Sequence, residues 1–503
     1  MTSDPDLRER AVAALTGPEL ANAVDLVVWC EGEGSDRTAL VANHRGRVRL
    51  HADGRHEVLR GADPVANEDP MAFLPYEREL ADPSPPNERN AYPFAYRRLV
   101  SLFADPDRSP DLAVVHTPRH WFVDEGGHPG EHGSLDVIQS RAPLVVSGAG
   151  VERQGYLDEH AWLVDVGPTL AAAAGVPLAD LLDAHGHGLD GAALTHLVRP
   201  GRRKVIGILW DGAHCGDLLH LAESGELPGV ARLISRGTAL RGGALAHFPS
   251  ITLTNHTSIL TGVGPGRHGV LGNVFFDRAT GEQVVPNDAT TWHRSGEWLR
   301  PGVRTVFEMV HDNVPARIDG SPRTASVDEA IDRGADYSTM GVIRASGSSM
   351  GSGDLDSLLP DPFASRFVGE LEHLKDGTFH WGSQVDDLGL QQVLQLWDSP
   401  AAAPDLLWWA NVVTDAGHHA GGPRSAIARD ALRDSDSRLV AFLDHLDGLG
   451  MLDDVTIALT ADHGFEGADP SCTGSWRSAL DGLGVPYRDE GPGFVYLDPS
   501  RRT

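Results

Sequence analysis

The sequence predicts an α/β protein whose buried strands run parallel and lead into polar residues. Its 503 residues are 41% apolar, which is enough for the large core of an α/β enzyme. Continuous apolar runs, typical of strands covered on both faces, lie at residues 205–210, 406–414 and 455–460. Each run leads into a carboxylate, and these carboxylates are Asp211, Asp415 and Asp462. Because ligands of open α/β sheets bind at the carboxyl ends of strands, we expect a functional site there.

The composition excludes several classes of protein. Lys and Arg total 42 against 71 Asp and Glu, so the formal charge is −29 and nucleic-acid binding by charge is not expected. Phosphate esters remain possible ligands if metal ions locally reverse the field. The three cysteines show no paired metal-ligand spacing. The chain shows no signal-peptide core and no run of about 18 apolar residues. We therefore expect a cytoplasmic protein without membrane association, and its oligomeric state is left open.

The first half reads as mixed helices and strands. The expected elements are a helix at 5–24, strands at 24–30, 41–50, 111–115 and 142–148, irregular surface at 61–95, and a helix at 164–177. The segment 126–134 is rich in glycine and contains His132. Glycines let the backbone approach a ligand closely, although a flexible polar loop is the simpler interpretation.

The second half follows a linker at 198–203, which is basic and broken by Pro-Gly. A strand at 205–212 and a helix at 216–236 precede the loop that contains Thr252. The Gly-rich segment 264–273, which ends in Asn273, is expected to line a pocket. Residues 280–400 are interpreted as a cap-like insertion that shapes this pocket.

The segment 248–262 places Thr252 three residues before Asn255, where a loop becomes a helix. Thr252 offers a hydroxyl nucleophile, and backbone N–H groups at a helix start favour a bound anion. The amide of Asn255 could donate to a phosphoryl oxygen as negative charge develops there. Taken alone, this pattern is also that of a simple helix cap.

Two further segments carry residues that bind metals. Asp415 precedes His419 by four residues, and Asp462 is followed directly by His463 and Gly464. Aspartate and histidine at strand ends beside glycine suit a metal site that clamps phosphate oxygens. One such pair arises easily by chance among 24 histidines, but three strand ends with carboxylates do not.

Together these motifs resemble the alkaline phosphatase superfamily, and within it the type I phosphodiesterase/nucleotide pyrophosphatase branch. The resemblance spans roughly residues 205–470. The matching segments are Asp211-Gly212, the block 248–256, Thr261-Gly262 with Pro265 and His268-Gly269, Asp415 to Pro423, and Thr460 to Gly464. It implies a central, mostly parallel sheet with helices on both faces.

The resemblance also implies two divalent metal ions, with zinc expected and manganese or iron as alternatives. One ion would be bound by Asp211, Thr252, Asp462 and His463. The other would be bound by Asp415, His419 and a further histidine, which the family places nearer the C-terminus. No histidine follows His463 in this sequence.

His132 supplies the missing histidine if the chain is circularly permuted. Residues 1–197 would then correspond to the family's C-terminal part and 204–503 to its N-terminal part, forming one structural domain. A tandem pair of partly decayed domains is the alternative, but each half lacks motifs that the other supplies.

These observations predict a two-metal hydrolase of phosphodiester or pyrophosphate bonds, with Thr252 as nucleophile and a small phosphate ester as substrate. Phosphomonoester or phosphonate hydrolysis is the near alternative, and a non-catalytic binding protein is the alternative of another class. Asn255, Leu253 and Asn273 are the expected substrate-binding residues. Leu253 stands where the family often has an aromatic residue that stacks on a nucleobase, so a nucleotide preference does not carry over.

Overall fold

A computed structural model describes residues 5–73, 75–81, 89–123, 126–347, 377–484, 486–491 and 493–497. The strands in this part of the chain are β1 (Val24–Glu31), β2 (Thr38–Ala42), β3 (Gly46–Leu50), β4 (His56–Gly61), β5 (Leu112–His116), β6 (Gly130–Glu131), β7 (Arg141–Ala142), β8 (Leu144–Gly148), β9 (Gly155–Leu157), β10 (Ala161–Trp162), β11 (Lys204–Trp210), β12 (Gly237–Leu240), β13 (Ala244–Leu245), β14 (Phe275–Asp277), β15 (Glu282–Val284), β16 (Thr324–Val327), β17 (Tyr337–Ser338), β18 (Leu406–Asn411), β19 (Val455–Thr460), β20 (Glu466–Gly467), β21 (Tyr487–Glu490) and β22 (Phe494–Leu497).

The α-helices are α1 (Pro5–Leu15), α2 (Tyr76–Ala81), α3 (Ala95–Leu102), α4 (Val137–Ser140), α5 (Val166–Ala174), α6 (Cys215–Ser224), α7 (Pro228–Ser235), α8 (Thr252–Thr261), α9 (Pro265–His268), α10 (Val306–Asn313), α11 (Thr339–Ser346), α12 (Gly377–Leu396), α13 (Val413–Gly421), α14 (Ala426–Gly448) and α15 (Arg477–Gly482). Among the described residues, no helix combines the length and the apolar character needed to cross a membrane.

The central sheet has eight strands in the order β17-β16-β18-β11-β19-β8-β12-β9. From β17 to β19 the strands run parallel, and β18 and β19 flank β11 on its two sides. All residues of β18 and β19 are buried, as are all those of β11 after its first. This agrees with the predicted α/β class and brings three carboxyl strand ends to one edge of the sheet.

At one side of this sheet, from β19 to β9, strands from the two halves of the chain alternate. The strand β8, from the first half, is antiparallel to both β19 and β12, which belong to the second half. The first half therefore contributes an interior strand to the sheet rather than a separate layer.

A second sheet of seven strands, in the order β21-β22-β5-β1-β2-β3-β4, did not follow from the sequence. Its neighbouring strands are antiparallel. The strand β22, close to the end of the chain, pairs with β5 from the first half. Both sheets thus combine strands from the two halves.

Several predicted boundaries need correction. The helix expected at 5–24 ends at Leu15, and the helix expected at 216–236 is divided into α6 and α7, with Pro228 as the first residue of α7. The irregular stretch expected at 61–95 contains the short helix α2. The strand β18 ends at Asn411, so Asp415 lies in the first turn of helix α13 rather than at a strand end.

The predicted insertion at 280–400 is also only partly an insertion. Within it, β16 pairs with β18 and β17 pairs with β16, so both strands extend the central sheet. Residues 348–376 of this segment lie outside the described part of the chain.

Candidate metal centre

The carboxyl ends of β11 and β19 bring three of the predicted ligands together. The two strands are parallel neighbours, with Leu209 opposite Thr460. The Nε2 atom of His463 lies 3.1 Å from Asp462 Oδ2 and 3.7 Å from Asp211 Oδ1. The N–H of Gly212 donates to Asp462 Oδ1 at 2.9 Å, which fixes one oxygen of that carboxylate and leaves the other to face the cluster.

Helix α13 contributes Asp415 and His419. Residues four apart lie on the same face of a helix, and His419 Nε2 is 3.6 Å from Asp415 Oδ1. The hydroxyl of Thr414 donates to the carbonyl oxygen of Asp211 at 2.6 Å, which attaches the start of α13 to the end of β11. A Cβ atom on Gly212 would lie 2.8 Å from Asp415 Oδ1, so only glycine permits this approach.

His132 reaches the same cluster from the first half of the chain. The strand β6, just before it, pairs with β20, which follows His463. The His132 Nε2 atom lies 3.9 Å from Asp415 Oδ1, and its ring stacks on the ring of His463 with centroids 3.7 Å apart. Gly130 makes this possible, because a Cβ atom there would lie 2.2 Å from the carbonyl oxygen of His418 in α13.

Backbone carbonyl groups orient all three imidazoles in the same way. The Nδ1 atoms of His132, His419 and His463 each lie 3.0 Å from a backbone carbonyl oxygen. If Nδ1 donates to that oxygen, Nε2 is left with a lone pair that faces the carboxylates. This is the arrangement by which proteins fix the tautomer of a metal-binding histidine.

Four of the carboxylate and imidazole atoms that converge here have no hydrogen-bond partner in the described protein. The buried atoms Asp211 Oδ1, Asp415 Oδ1, Asp462 Oδ2 and His463 Nε2 accept and donate no hydrogen bond. Buried polar atoms are normally paired, and acceptor atoms that face one another repel unless a cation lies between them. The residues present therefore fit divalent metal ions with mixed oxygen and nitrogen ligands.

The electrostatics of the cluster point in the same direction. Burial raises the pKa of the Asp211 carboxyl well above its ordinary value, and the charges of Asp462 and Asp415 raise it further. Burial, together with the Asp462 charge, raises the pKa of Asp415 to about 7. Burial lowers the pKa of His463 to about 3 and that of His132 well below its ordinary value. The imidazoles are thus neutral, as metal ligands must be, and a bound cation would relieve the repulsion among the carboxylates.

Thr252 is the first residue of α8 and lies beside this cluster. It lines a cavity of about 270 Å³ together with Asp211 and Asp415. We call this space the Thr252 cavity, and its other walls include Trp292, Asp328 and Trp381. The cavity gives the Thr252 hydroxyl access to a ligand even though the residue is largely buried.

Asn255 has a different role from the one predicted. It is fully buried, its side-chain oxygen accepts from the His247 N–H at 2.8 Å, and its amide donates to the carbonyl oxygens of Pro249 and Ile251. Both amide hydrogens are used within the loop, so the expectation that Asn255 binds phosphoryl oxygens is corrected. The side chain holds the loop in the conformation that presents Thr252.

Asn273 and Leu253 meet at the start of the same helix. The side-chain oxygen of Asn273 accepts from the Leu253 N–H at 3.2 Å, next to Thr252. Leu253 itself is fully buried and packs in the hydrophobic core, so its side chain does not contact the cavity. Of the three predicted substrate-binding residues, Asn273 alone has an amide group that could face a ligand at Thr252.

His256, which sequence reasoning left without a ligand role, lies in the cluster. Its Nε2 atom is 3.7 Å from Asp462 Oδ2, and its Nδ1 atom is 2.8 Å from Glu329 Oε2. Trp408 Nε1 donates to the same oxygen of Glu329. The sequence could have indicated that His256 lies near the site, because it is one helical turn after Thr252. Nothing in the sequence connected it with Glu329.

Replacing Asn255 with alanine tests its structural role. We expect the free energy of unfolding to fall by about 3 kcal/mol, because the change leaves the His247 N–H and the Pro249 carbonyl oxygen unpaired in a buried loop. Urea denaturation of the metal-free protein measures this loss. Asn273→Ala is the matched control, and its loss should be much smaller because that residue is half-buried and accepts one backbone hydrogen bond. Equal losses would contradict the role given to Asn255.

The carboxylates and imidazoles beside the Thr252 hydroxyl could hold metal ions next to a nucleophile, as the hydrolases of this fold class require. The family model for type I phosphodiesterase/nucleotide pyrophosphatase matches residues 205–502. The chain therefore belongs to that family, which confirms the predicted branch of the alkaline phosphatase superfamily.

Two curated relatives match short segments. An uncharacterized pyrophosphatase/phosphodiesterase of Schizosaccharomyces pombe is 42% identical over 71 residues, which is 13% of this chain and 15% of the relative. The alkaline phosphatase PafA of Elizabethkingia meningoseptica is 31% identical over 97 residues, 19% of this chain and 18% of the relative. The chain thus spans less than a fifth of either relative.

Solved structures give looser matches. Phosphonoacetate hydrolase from Sinorhizobium meliloti 1021, in complex with phosphonoformate, is 23% identical in sequence. The match covers 53% of this chain and 58% of the hydrolase chain, with a TM-score of 0.34. Murine ectonucleotide pyrophosphatase/phosphodiesterase 5, in complex with AMP, is 15% identical in sequence. The match covers 52% of this chain and 57% of the murine chain, with a TM-score of 0.33. Superpositions this loose carry no functional conclusion.

Proposed function

We propose that this protein hydrolyses phosphodiester or pyrophosphate bonds with Thr252 as the nucleophile. The observation that carries the proposal is the convergence of unpartnered carboxylate and imidazole atoms beside the helix-start hydroxyl. The bound ions would be held in two groups, one by Asp211, Thr252, Asp462 and His463, the other by Asp415, His419 and His132. When bound, divalent ions would lower the pKa of the Thr252 hydroxyl and stabilise negative charge on phosphoryl and leaving oxygens.

Two displacements at phosphorus complete the reaction. In the first, Thr252 Oγ1 forms a bond to phosphorus, the bond from phosphorus to the leaving oxygen breaks, and the leaving oxygen acquires a proton. In the second, a water oxygen attacks phosphorus, the bond to Thr252 Oγ1 breaks, and Thr252 regains its proton. The sum converts a diester and one water into a monoester and an alcohol.

The residues around Thr252 would hold the phosphoryl group. The helix α8 has ten residues, and its first N–H groups and positive dipole end favour an anion beside Thr252. The Asn273 amide would donate to a non-bridging oxygen, where a hydrogen bond strengthens as charge develops. Asn273 thereby takes the task that the sequence assigned to Asn255.

A panel of model esters tests the reaction class. We expect phosphodiesters and pyrophosphates to be hydrolysed faster than phosphomonoesters or phosphonates that carry the same leaving group. A clear preference for a monoester or a phosphonate would replace the proposal with that activity. Failure to hydrolyse any member of the panel after metal loading would favour a non-catalytic binding protein.

The metal content is expected to be about two ions per chain, with zinc preferred and manganese or iron as alternatives. Elemental analysis of the purified protein measures this. Chelation should abolish hydrolysis and lower the melting temperature, because ions that bind only the folded state stabilise it. Asp462→Asn should reduce the metal content, whereas Asp447→Asn, an exposed surface change, should not. An active, metal-free protein would contradict the mechanism.

We also infer that the chain is a circular permutation of the family's usual order. The family model begins its match at residue 205, so residues 1–204 lie outside it. Yet this first part supplies an interior strand of the central sheet and the imidazole of His132. Pairing of β22 with β5 supports continuity between the end of the chain and its beginning.

A further inference from the structure

His256 is a buried histidine that the two proposed metal groups leave out. It is 1% exposed, and its Nε2 atom is buried without a hydrogen-bond partner among the described residues. The Oδ2 atom of Asp462 is in the same state and lies 3.7 Å away, which is too long for a hydrogen bond. Because buried polar atoms are normally paired, two unpartnered atoms that face each other call for a group between them.

The spacing fits two ligands of one ion. Ligand bonds to zinc are about 2.0–2.2 Å long, so two ligands of the same ion lie at most about 4.4 Å apart. In the group formed by Asp211, His256 and Asp462, one ligand atom of each residue lies within 4.8 Å of the other two. His463 Nε2 is 3.1 Å from the oxygen of Asp462 that faces His256. His256 thus borders the position of the ion, here called the first ion, that was proposed for Asp211, Thr252, Asp462 and His463.

Helix α8 places His256 on the same face as Thr252. Residues four apart in a helix are neighbours on its surface, and α8 begins at Thr252. Helix α13 presents Asp415 and His419 with the same spacing. Each of the two helices therefore directs an oxygen ligand and, one turn later, an imidazole towards the cluster.

A carboxylate orients the His256 ring. The Nδ1 atom lies 2.8 Å from Glu329 Oε2, which also accepts from Trp408 Nε1 at 2.8 Å. The other oxygen of Glu329 accepts from the Ile331 N–H at 2.9 Å, so the carboxylate is held on both sides. If Nδ1 donates to Glu329, the lone pair of Nε2 faces Asp462. A carboxylate behind a histidine is common at metal sites, where it fixes the tautomer and makes the imidazole a stronger ligand.

The electrostatic field at His256 favours a positive charge. Burial lowers the pKa of this imidazole, but the charge and the hydrogen bond of Glu329, together with the charge of Asp462, outweigh burial, so the pKa lies above its ordinary value. In this respect His256 differs from His132 and His463, whose pKa values are lowered. A divalent ion at Nε2 would take the place of a proton there, because metal ions and protons compete for the same lone pair.

We propose that His256 is a further ligand of the first ion, oriented by the Glu329 carboxylate. The first ion would then be bound by five protein groups, two of which are imidazoles. Zinc sites can expand from four ligands to five, and imidazole and carboxylate ligands also suit iron and manganese, so the expected metals do not change. The inference rests on the proposed two-metal hydrolase and adds a ligand to its site.

The wild-type protein allows a direct test. It is produced with labelled nitrogen in its histidines, and a spin-active cadmium isotope replaces its metal ions. Scalar coupling in the NMR spectrum then identifies each imidazole nitrogen that is bonded to cadmium. We expect four coupled imidazoles per chain, those of His132, His256, His419 and His463. Because this count needs no variant, the test does not depend on how a substituted protein folds.

Substitutions measure how much His256 contributes to metal affinity. His256→Ala should weaken the binding of one of the two ions by more than about 100-fold, since changes behind a ligand already cost about 10–100-fold. Glu329→Gln keeps the shape of the side chain but removes the charge behind the imidazole, and it should cost about 10–100-fold. Competition with a chelator of known affinity, starting from metal-free protein, measures both losses without relying on turnover.

His268→Gln is the matched control. His268 is also fully buried, but both of its ring nitrogens have protein partners. Its Nε2 lies 3.1 Å from Ser258 Oγ, and its Nδ1 accepts from the Val270 N–H. The variant removes an equally buried imidazole and should leave both metal affinities close to those of the wild type. Equal losses of affinity in His256→Ala and His268→Gln would contradict the ligand role.

The outcomes separate this inference from the proposed function. Three coupled imidazoles in a protein that hydrolyses bis(p-nitrophenyl) phosphate would overturn the His256 ligand and leave the proposed function standing. If the metal-loaded wild type does not hydrolyse that ester, the proposed function is wrong, but four coupled imidazoles would still establish a metal site that includes His256. The absence of any coupling to cadmium would overturn both.

Discussion

Thr252→Ala is expected to lower kcat by at least about three orders of magnitude, because removal of a covalent nucleophile commonly costs this much or more. The fold should remain intact, since the Thr252 side chain lines a cavity rather than packing in the core. Steady-state kinetics with a phosphodiester, together with the melting temperature, measures both effects. Trapping of a phosphorylated protein from the wild type, and its absence in the variant, would identify the covalent step directly.

Thr252→Ser is the matched control for this prediction. It keeps the hydroxyl and loses only a methyl group, so a substantial part of the activity should survive. If Thr252→Ala instead hydrolyses its substrate at a rate near that of the wild type, another group is the nucleophile.

His132→Ala is expected to lose one metal ion and nearly all activity together. His132 is one of three residues proposed for the second ion, and its Nε2 faces Asp415. Even changes behind a metal ligand weaken metal binding by about 10–100-fold, so loss of the ligand itself should exceed this range. Titration of the metal-free protein with zinc measures the affinity without relying on turnover.

The control for His132 must be a histidine outside the cluster. His128 is unsuitable, because its Nδ1 lies 3.1 Å from Glu131 Oε1 and its ring is 5.1 Å from the His419 ring. His196 is exposed and lies near Glu159 in the same half of the chain, so His196→Ala should retain metal and activity. If His132→Ala keeps its full metal content, the first half of the chain contributes no metal ligand through His132. The tandem-domain interpretation would then be favoured.

The sequence predicted those parts of the centre that depend on local patterns. Continuous apolar runs followed by Asp211 and Asp462 place carboxylates at strand ends, and parallel strands bring such ends together. Asp415 was assigned to a strand end because the apolar run continues through Val413. The start of α13 depends on Asp386, whose carboxylate accepts from the N–H groups of Val412 and Val413, and sequence reasoning has no access to so distant a contact.

Other features were beyond sequence reasoning for similar physical reasons. Asn255 and Asn273 are both amides near a helix start, and only their hydrogen bonds distinguish the side chain that holds the loop from the one near the cavity. Asp328 and Glu329 belong to no motif, yet the fold places them at the cavity wall and behind His256. The second sheet depends on pairing between distant segments, which leaves little local signal.

The interior position of β8 has a consequence for the order of events during synthesis. Its partner β19 is roughly 300 residues further along the chain, which at ordinary elongation rates takes about 15–60 s to emerge. Throughout that interval β8 lacks at least one of its two neighbours, and for nearly all of it the imidazole of His132 lacks Asp415, His419 and His463. Metal binding at the proposed centre would therefore follow synthesis of nearly the whole polypeptide, and the nascent first half would expose the apolar strand β8 until then.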